Sequence, residues 1–428
     1  MSDIRRLLSS STIIFIGSIL SGGFSYLFNL LSARLLGPEQ FSQVTAILAL
    51  FTVASVGSSA ILIVAMRYLG ELYYAERYRA MKQTYWSLMY QSLGLASLFF
   101  VIGSVFVIPL VKFFSIQAPL PVIVAFSSFF STFAVVVSRG LLQGSQRFMA
   151  ITLSTTTEMA VRVIALVILV RLGFGLVSAL WAVVLGSCLS LVVTLRPVGK
   201  LMELSELDHS KEDFKLPQKE LFAYFWQTFI TSFFLNIFLS LDILLVKRYF
   251  VGDIAGRYAA LAAVAKIIFF LTGPVVSVMF PMIAEKRTRG EKHYRTLGLS
   301  MAVTSVVALL VLGIYSLFPY WVIKLLYGQT YTTYANLLPG VGLFVVFYVL
   351  INLFVNYFIA IKDFAFLWLF VLAIAAQIFF ASLHHATLSD IIQVLIFTLG
   401  GLFTLMVVRY IFLKRVQLQQ VFAGTYVH

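Results

Sequence analysis

Apolar stretches of about 20 residues alternate along this chain with short polar breaks. At about 1.5 Å of helix rise per residue, each stretch is long enough to cross about 30 Å of hydrocarbon. The pattern predicts twelve spans: 13–36, 41–66, 85–110, 120–138, 150–170 and 174–195, then 221–246, 258–284, 296–321, 335–361, 364–383 and 391–413. One sizeable polar segment, 196–220, separates the two sets of six. The predicted organisation is an amino-terminal lobe (1–195), a cytoplasmic linker (196–220) with an amphipathic turn at 203–207, a carboxy-terminal lobe (221–413) and a cytoplasmic tail (414–428). An even number of spans per lobe makes the repeat parallel. The expected fold is an all-α integral membrane protein of two six-helix lobes around a central cavity.

The halves also correspond residue by residue. Arg34 leads into Leu36-Gly37-Pro38-Glu39, an apolar helix and Glu71, while Lys247-Arg248 leads into Val251-Gly252-Asp253, an apolar helix and Glu285; both acidic pairs are 32 residues apart. Pro109 and Lys112 match Pro319 and Lys324 further on. Such self-similarity at half the length marks a duplicated unit. Gly22-Gly23, Gly273-Pro274, Pro281, Pro339 with Gly340 and Gly342, and Gly400-Gly401 interrupt spans. They read as kinks or close helix contacts, or alternatively as hinges for lobe rocking.

Composition strengthens this picture. With 61% hydrophobic and 11% charged residues, too few polar side chains remain to cover a water-exposed surface of this size. With the amino terminus inside, 22 of the 31 basic residues, Arg139 and Arg147 among them, fall in cytoplasmic loops, and Lys247 is one of seven outside. The chain is thus expected to be a multi-pass protein of the cytoplasmic (inner) membrane with both termini cytoplasmic. Loop topology and anionic membrane lipids account for the net charge of +14, so nucleic acid is not an expected partner. Cys188 is the single cysteine, which excludes an intramolecular disulfide and a cysteine metal cluster. The first span is too long for a signal-peptide core and no cleavage pattern follows it, so it is expected to remain a membrane helix.

Charges inside spans are costly and usually face a partner or a cavity. Glu158 and Arg162 lie four residues apart on one helix face, with Arg162 about 17 Å from the inner end. They form either a structural pair or a gated site, in which an anionic group displaces Glu158 from a guanidinium whose fork suits phosphate. Asp242 and Lys266 fall near the outer ends of adjacent spans, again either a buried salt bridge or a proton or sodium site. Asn29 stands within one position of Asp242 in the repeat. Arg34 either snorkels to the headgroups or grips phosphate at the outer mouth. Asn236, Asn352, Asn356, Gln227 and Gln377 suit either sugar hydroxyls or pairing between helices.

No GxxxxGK[ST], HExxH or GxSxG motif is present, and every outer loop is short. The chain is therefore not expected to be an enzyme and no cofactor or metal is expected. Energy would come from H+ or Na+, with Asp242 and Glu158 as the candidate coupling carboxylates, or from the substrate's own gradient. His384-His385 reads as surface.

Three strings carry a resemblance: ARLLGPEQFSQVTAILAL (33–50), GLLQGSQRFMAITLSTTTEMAVRV (140–163) and LDILLVKRYFVGDIAGRYAALAAVAKIIFFLTGPV (241–275). They resemble the Wzx-like polysaccharide-transport family of lipid-linked oligosaccharide flippases, within the multidrug/oligosaccharidyl-lipid/polysaccharide exporter superfamily. That resemblance implies two six-helix bundles around a cationic cavity, and sugars on an undecaprenyl diphosphate carrier moved from the inner to the outer leaflet by alternating access. The substrate contacts would then come from Arg162, Lys266, Arg34, Asn29, Asn236, Asn352 and Asn356. Expected partners are the lipid-linked oligosaccharide, membrane lipids, and polysaccharide polymerase and glycosyltransferases. The rival expectation is a cation-coupled multidrug antiporter of the same superfamily. It should carry an acidic first-lobe cavity, whereas Glu158 is shadowed by Arg162.

Overall fold

A computed structural model describes the backbone of residues 2–116, 118–206, 218–250, 252–288, 293–361 and 363–422; within helices, the side chains of 2–16, 218–224, 227, 228, 231, 277, 281, 284, 285, 288 and 415–422 fall outside the description. Residues 207–217 of the predicted linker, the end of the tail, Lys362, and the side chains of Gln227 and Glu285 therefore lie outside the described residues. Among the described residues the chain is helical, with no strand.

The first half comprises α1 (Ser2–Ala54), α2 (Val56–Tyr74), α3 (Tyr78–Val105), α4 (Val107–Phe113), α5 (Leu120–Gly144), α6 (Phe148–Arg171) and α7 (Val177–Glu203). The second comprises α8 (Gln218–Tyr249), α9 (Asp253–Ala265), α10 (Ile267–Thr288), α11 (Tyr294–Leu317), α12 (Pro319–Tyr327), α13 (Leu338–Ala360), α14 (Leu367–Leu383) and α15 (Leu388–Phe422). Short 3-10 turns occupy Leu204–Glu206 and Gln329–Leu337.

The repeated sequence produces repeated backbone events. Gly37 interrupts α1 at φ 74°, ψ 170°, a region open essentially to glycine, and Pro38 then restarts the helix with its φ already set. Gly252, the matching glycine, has φ 68° just before α9. Further on, α2 is set off from α1 at Ser55 and α4 from α3 at Phe106, as α10 is from α9 at Lys266 and α12 from α11 at Phe318. These breaks are bends rather than gaps, because the helical hydrogen-bond ladder passes through them: Ser55 N bonds Phe51 O, Phe106 N bonds Ile102 O, Lys266 N bonds Ala262 O and Phe318 N bonds Ile314 O. The central helices match too. α5 packs on α2, α3 and α7, while α13 packs on α10, α11 and α15.

Nine helical stretches among the described residues are long and apolar enough to cross a membrane. The chain is thus a multi-pass membrane protein. Three predicted spans take a different form. Span 41–66 is divided by the bend at Ser55. Span 221–246 lies within α8, part of whose side chains are outside the description. Span 364–383 shortens to the 17 residues of α14, because Asp363 turns away to accept from the Ala365 amide and from Arg409 of α15.

By contacts the chain forms two compact units, Met1–Ser240 with Val251–Gly256, and Leu241–Phe250 with Arg257–His428. The division falls within α8 and α9. The first part of the 196–220 segment is the end of α7, since polar side chains on an exposed turn do not interrupt a helical ladder.

Packing in the first unit is built on small residues, which suits helices that gain little from burying apolar surface out of lipid. Gly140 and Gly144 of α5 meet α2 so closely that a Cβ on Gly140 would lie 2.4 Å from Ala65 Cβ, and one on Gly144 2.4 Å from Met66 O. Hydroxyls add bonds between helices: Tyr85 to Ser138 at 3.0 Å, Ser92 to the Phe133 carbonyl at 2.8 Å, and Ser131 to Ser187 at 2.5 Å.

Candidate functional site

In the first unit α5, α6 and α7 bring together two arginines and one carboxylate. Glu158 of α6 has only 7% of its side chain exposed; Arg162, one turn on, donates Nη2–H to its Oε1. The other oxygen is taken by Arg139 of α5, whose Nη2 lies 2.6 Å from Oε2 and also donates to Ser190 Oγ of α7 at 2.7 Å, while its Nε donates to Ser154 Oγ at 3.0 Å. The two serine hydroxyls are 2.8 Å apart. α7 can approach because Gly186 has no side chain, since a Cβ there would stand 2.7 Å from Arg162 Cγ.

The cluster holds two cations against one anion. Arg162 Nε is buried and finds no hydrogen-bond partner among the described residues. Chemically the cluster carries one surplus positive charge, and the Arg162 Nε–H is a donor left without an acceptor among the described residues. A cation approaching Glu158, by contrast, would meet two positive charges.

Arg139 is the residue that sequence reasoning missed. Ending the fourth span at Ser138 placed Arg139 in a cytoplasmic loop, but α5 continues to Gly144 and turns Arg139 into the bundle. Lys247 also departs from its expected outer-loop position: it sits in the last turn of α8 with 2% exposure.

In the second unit Asp242 of α8 is fully buried. Lys266 Nζ lies 3.4 Å from Oδ1, and the buried Tyr258 hydroxyl donates to Oδ2 at 3.4 Å. Both contacts are at the long limit of a hydrogen bond. The carboxylate is thus neutralised but loosely held, and Lys266 reaches it from the bend between α9 and α10.

The remaining predicted residues are placed less tellingly. Asn29 and Asn236 each donate to the carbonyl four residues back, Ser25 at 3.1 Å and Ser232 at 2.8 Å. Asn356 donates to Asn352 O at 2.8 Å and to its Oδ1 at 3.0 Å. Arg34 is exposed. Gln377 is buried with neither amide atom hydrogen-bonded among the described residues. His385 stacks on Tyr249 with ring centroids 4.2 Å apart. No group of three or more metal-ligating side chains occurs among the described residues.

Solved structures share this fold. An inward-facing multidrug resistance MATE family transporter of the MOP superfamily superposes with a TM-score of 0.71 at 16% identity, over 96% of this chain and all of that one. The lipid II flippase MurJ, in an inward closed conformation, gives 0.63 at 16% identity over 98% and 94%. A MOP superfamily transporter from Pyrococcus furiosus, described as having a binding pocket of reversed polarity, gives 0.61 at 16% over 95% and 96%. The chain shares the fold of these membrane transporters and of this flippase. No curated protein sequence matches the chain. Residues 7–286 match the family described as polysaccharide biosynthesis protein, and the chain belongs to that family, the Wzx-like one its sequence resembles.

Proposed function

We propose that the protein flips an oligosaccharide linked to undecaprenyl diphosphate from the inner to the outer leaflet of the cytoplasmic membrane, for export of cell-surface polysaccharide. The reading has twelve spans in two six-helix lobes, both termini cytoplasmic, and transport by alternating access. Family membership and a fold shared with a lipid flippase support it. The single observation that carries it is the surplus cation of the Arg139–Glu158–Arg162 cluster, with the unpartnered Arg162 Nε. A glycan cannot cross hydrocarbon unaided, and its diphosphate needs a positive charge at depth in the membrane.

Asn29, Asn236, Asn352, Asn356 and Arg34 are the proposed further contacts to glycan or phosphate. Lys266 is the other proposed cation for the diphosphate, available to it on leaving Asp242. Asp242 is the proposed coupling carboxylate for H+ or Na+, being buried, loosely paired and free of the second guanidinium that holds Glu158. Polymerase and glycosyltransferases are the proposed protein partners.

The test is Arg162→Ala. It leaves the Arg139–Glu158 pair neutral, so the protein should insert at normal levels while the lipid-linked glycan accumulates in the inner leaflet. Normal export by a well-expressed variant would sink the assignment. The second reading, a cation-coupled multidrug antiporter, is favoured by the buried Asp242 and by the likeness to a multidrug transporter. Deletion causing a cationic dye, and no lipid-linked sugar, to accumulate would select it.

A further inference from the structure

The loop between α5 and α6 and the last two turns of α7 form a groove of about 610 Å³ that the proposed transport does not use. Three cations line it. Arg147 is held there by a tight turn in which Gln146 adopts φ 56° and the Arg147 amide bonds Leu142 O at 2.7 Å. Arg196 and Lys200 come from α7, one turn apart on the same face.

All three side chains are exposed, and none has an ion-pair or hydrogen-bond partner among the described residues. Among the described residues no carboxylate lines the groove. Like charges one helical turn apart repel, so Arg196 and Lys200 are better satisfied by a shared anion than by each other. The amino-terminal turn of α6, Phe148 and Met149, lines the same groove and adds the positive end of its dipole.

The wall below is apolar and uncovered. Met149 and Leu153 are 55% and 52% exposed, and Val193 and Pro197 complete the lining. A soluble anion would use only the cationic rim; a lipid would use the rim with its phosphate and the wall with its acyl chains. We propose that this groove is a binding site for one anionic phospholipid of the leaflet it faces, its phosphate held by Arg147, Arg196 and Lys200 and its chains lying on Met149 and Leu153.

Native mass spectrometry of the full chain in detergent, titrated with phosphatidylglycerol or with phosphatidylcholine, tests this. The wild type should retain one phosphatidylglycerol in preference to phosphatidylcholine. R147Q/R196Q/K200Q should bind it about a hundredfold more weakly, roughly fivefold per cation, whereas K112Q/R171Q/K324Q, with the same charge change elsewhere, should bind it normally. If the triple variant fails to insert, the single R196Q, with its fivefold expectation, carries the comparison. Equal retention by the groove variant, no preference between the two lipids, or an equal loss in the control variant would each overturn the site. Displacement of the lipid by millimolar inorganic phosphate would overturn it in favour of a soluble-anion site. None of these readouts involves glycan export, so this site and the Arg162 assignment stand or fall separately.

Discussion

Glu158→Gln replaces the one anion of the Arg139–Glu158–Arg162 cluster by an amide of the same size. Shape survives, but one acceptor oxygen becomes an NH2 donor, so the negative charge and one of the two guanidinium bonds are lost together. In the wild type a carboxylate with 7% exposure offsets guanidiniums at 16% and 19%. The variant leaves two buried cations facing each other, and removing one partner of a buried pair typically costs about 3–5 kcal/mol. At about 2 °C per kcal/mol, the value for large domains, the midpoint of thermal unfolding in detergent should fall by about 6–10 °C. Arg139→Met alone should be milder: its bonds to Glu158, Ser154 and Ser190 are lost, but the Arg162–Glu158 pair stays neutral and no cation is left uncompensated. The double variant, with one uncompensated cation instead of two, should lie between the two singles. Scanning fluorimetry of the four proteins measures the order. A Glu158→Gln protein as stable as the wild type, or a double variant no more stable than Glu158→Gln, refutes this charge balance.

Other outcomes follow from separate parts of the fold. Gly144→Ala should cost about 1–3 kcal/mol, because its Cβ would press on the backbone of Met66 and Gly70, whereas Gly22→Ala, with nothing within 4 Å, should be nearly neutral in the same melting assay. If the proposed glycan export is ion-coupled through Asp242, Asp242→Asn should make it insensitive to collapse of the H+ or Na+ gradient by ionophores; unchanged sensitivity would remove the proposed coupling role. His293, before α11, is buried against the Tyr357 hydroxyl at 3.1 Å, and burial, with Arg287 nearby, holds its pKa below the ordinary value. The folded state therefore favours neutral imidazole. Its contribution to stability is present above the unfolded pKa of about 6.5 and is lost as pH falls toward the lower folded value. His293→Gln should flatten the melting temperature between pH 7.5 and 5 relative to wild type.

What was legible in the sequence was whatever is encoded over short range. The Gly37-Pro38 break and its partner at Gly252 follow from backbone sterics, and Glu158 with Arg162 from one helical turn. Arg139 was hidden because its carboxylate lies 19 residues away on another helix, and because a basic residue at the end of an apolar run looks the same whether it faces a loop or a bundle. Tyr258 was hidden for a related reason: among 20 tyrosines only the crossing of α8 and α9 singles it out as the second partner of Asp242. The amides misled in the opposite direction. Asn29 and Asn236 look free on a sequence, yet their own helix occupies one donor of each.

The lysine at the bend between α9 and α10 has one more consequence. Lys266 stands at the bend between the two helices and is also the counter-ion of Asp242, so the geometry of the one enters the electrostatics of the other. If Asp242 binds a coupling cation as proposed, a ligand that draws Lys266 away from it would change that cation's affinity, and by thermodynamic reciprocity the cation would change the ligand's affinity by the same factor. On the proposed reading, a single side chain at a helix bend would be enough to tie a binding event to an ionic one, with no relay of intermediate residues between them.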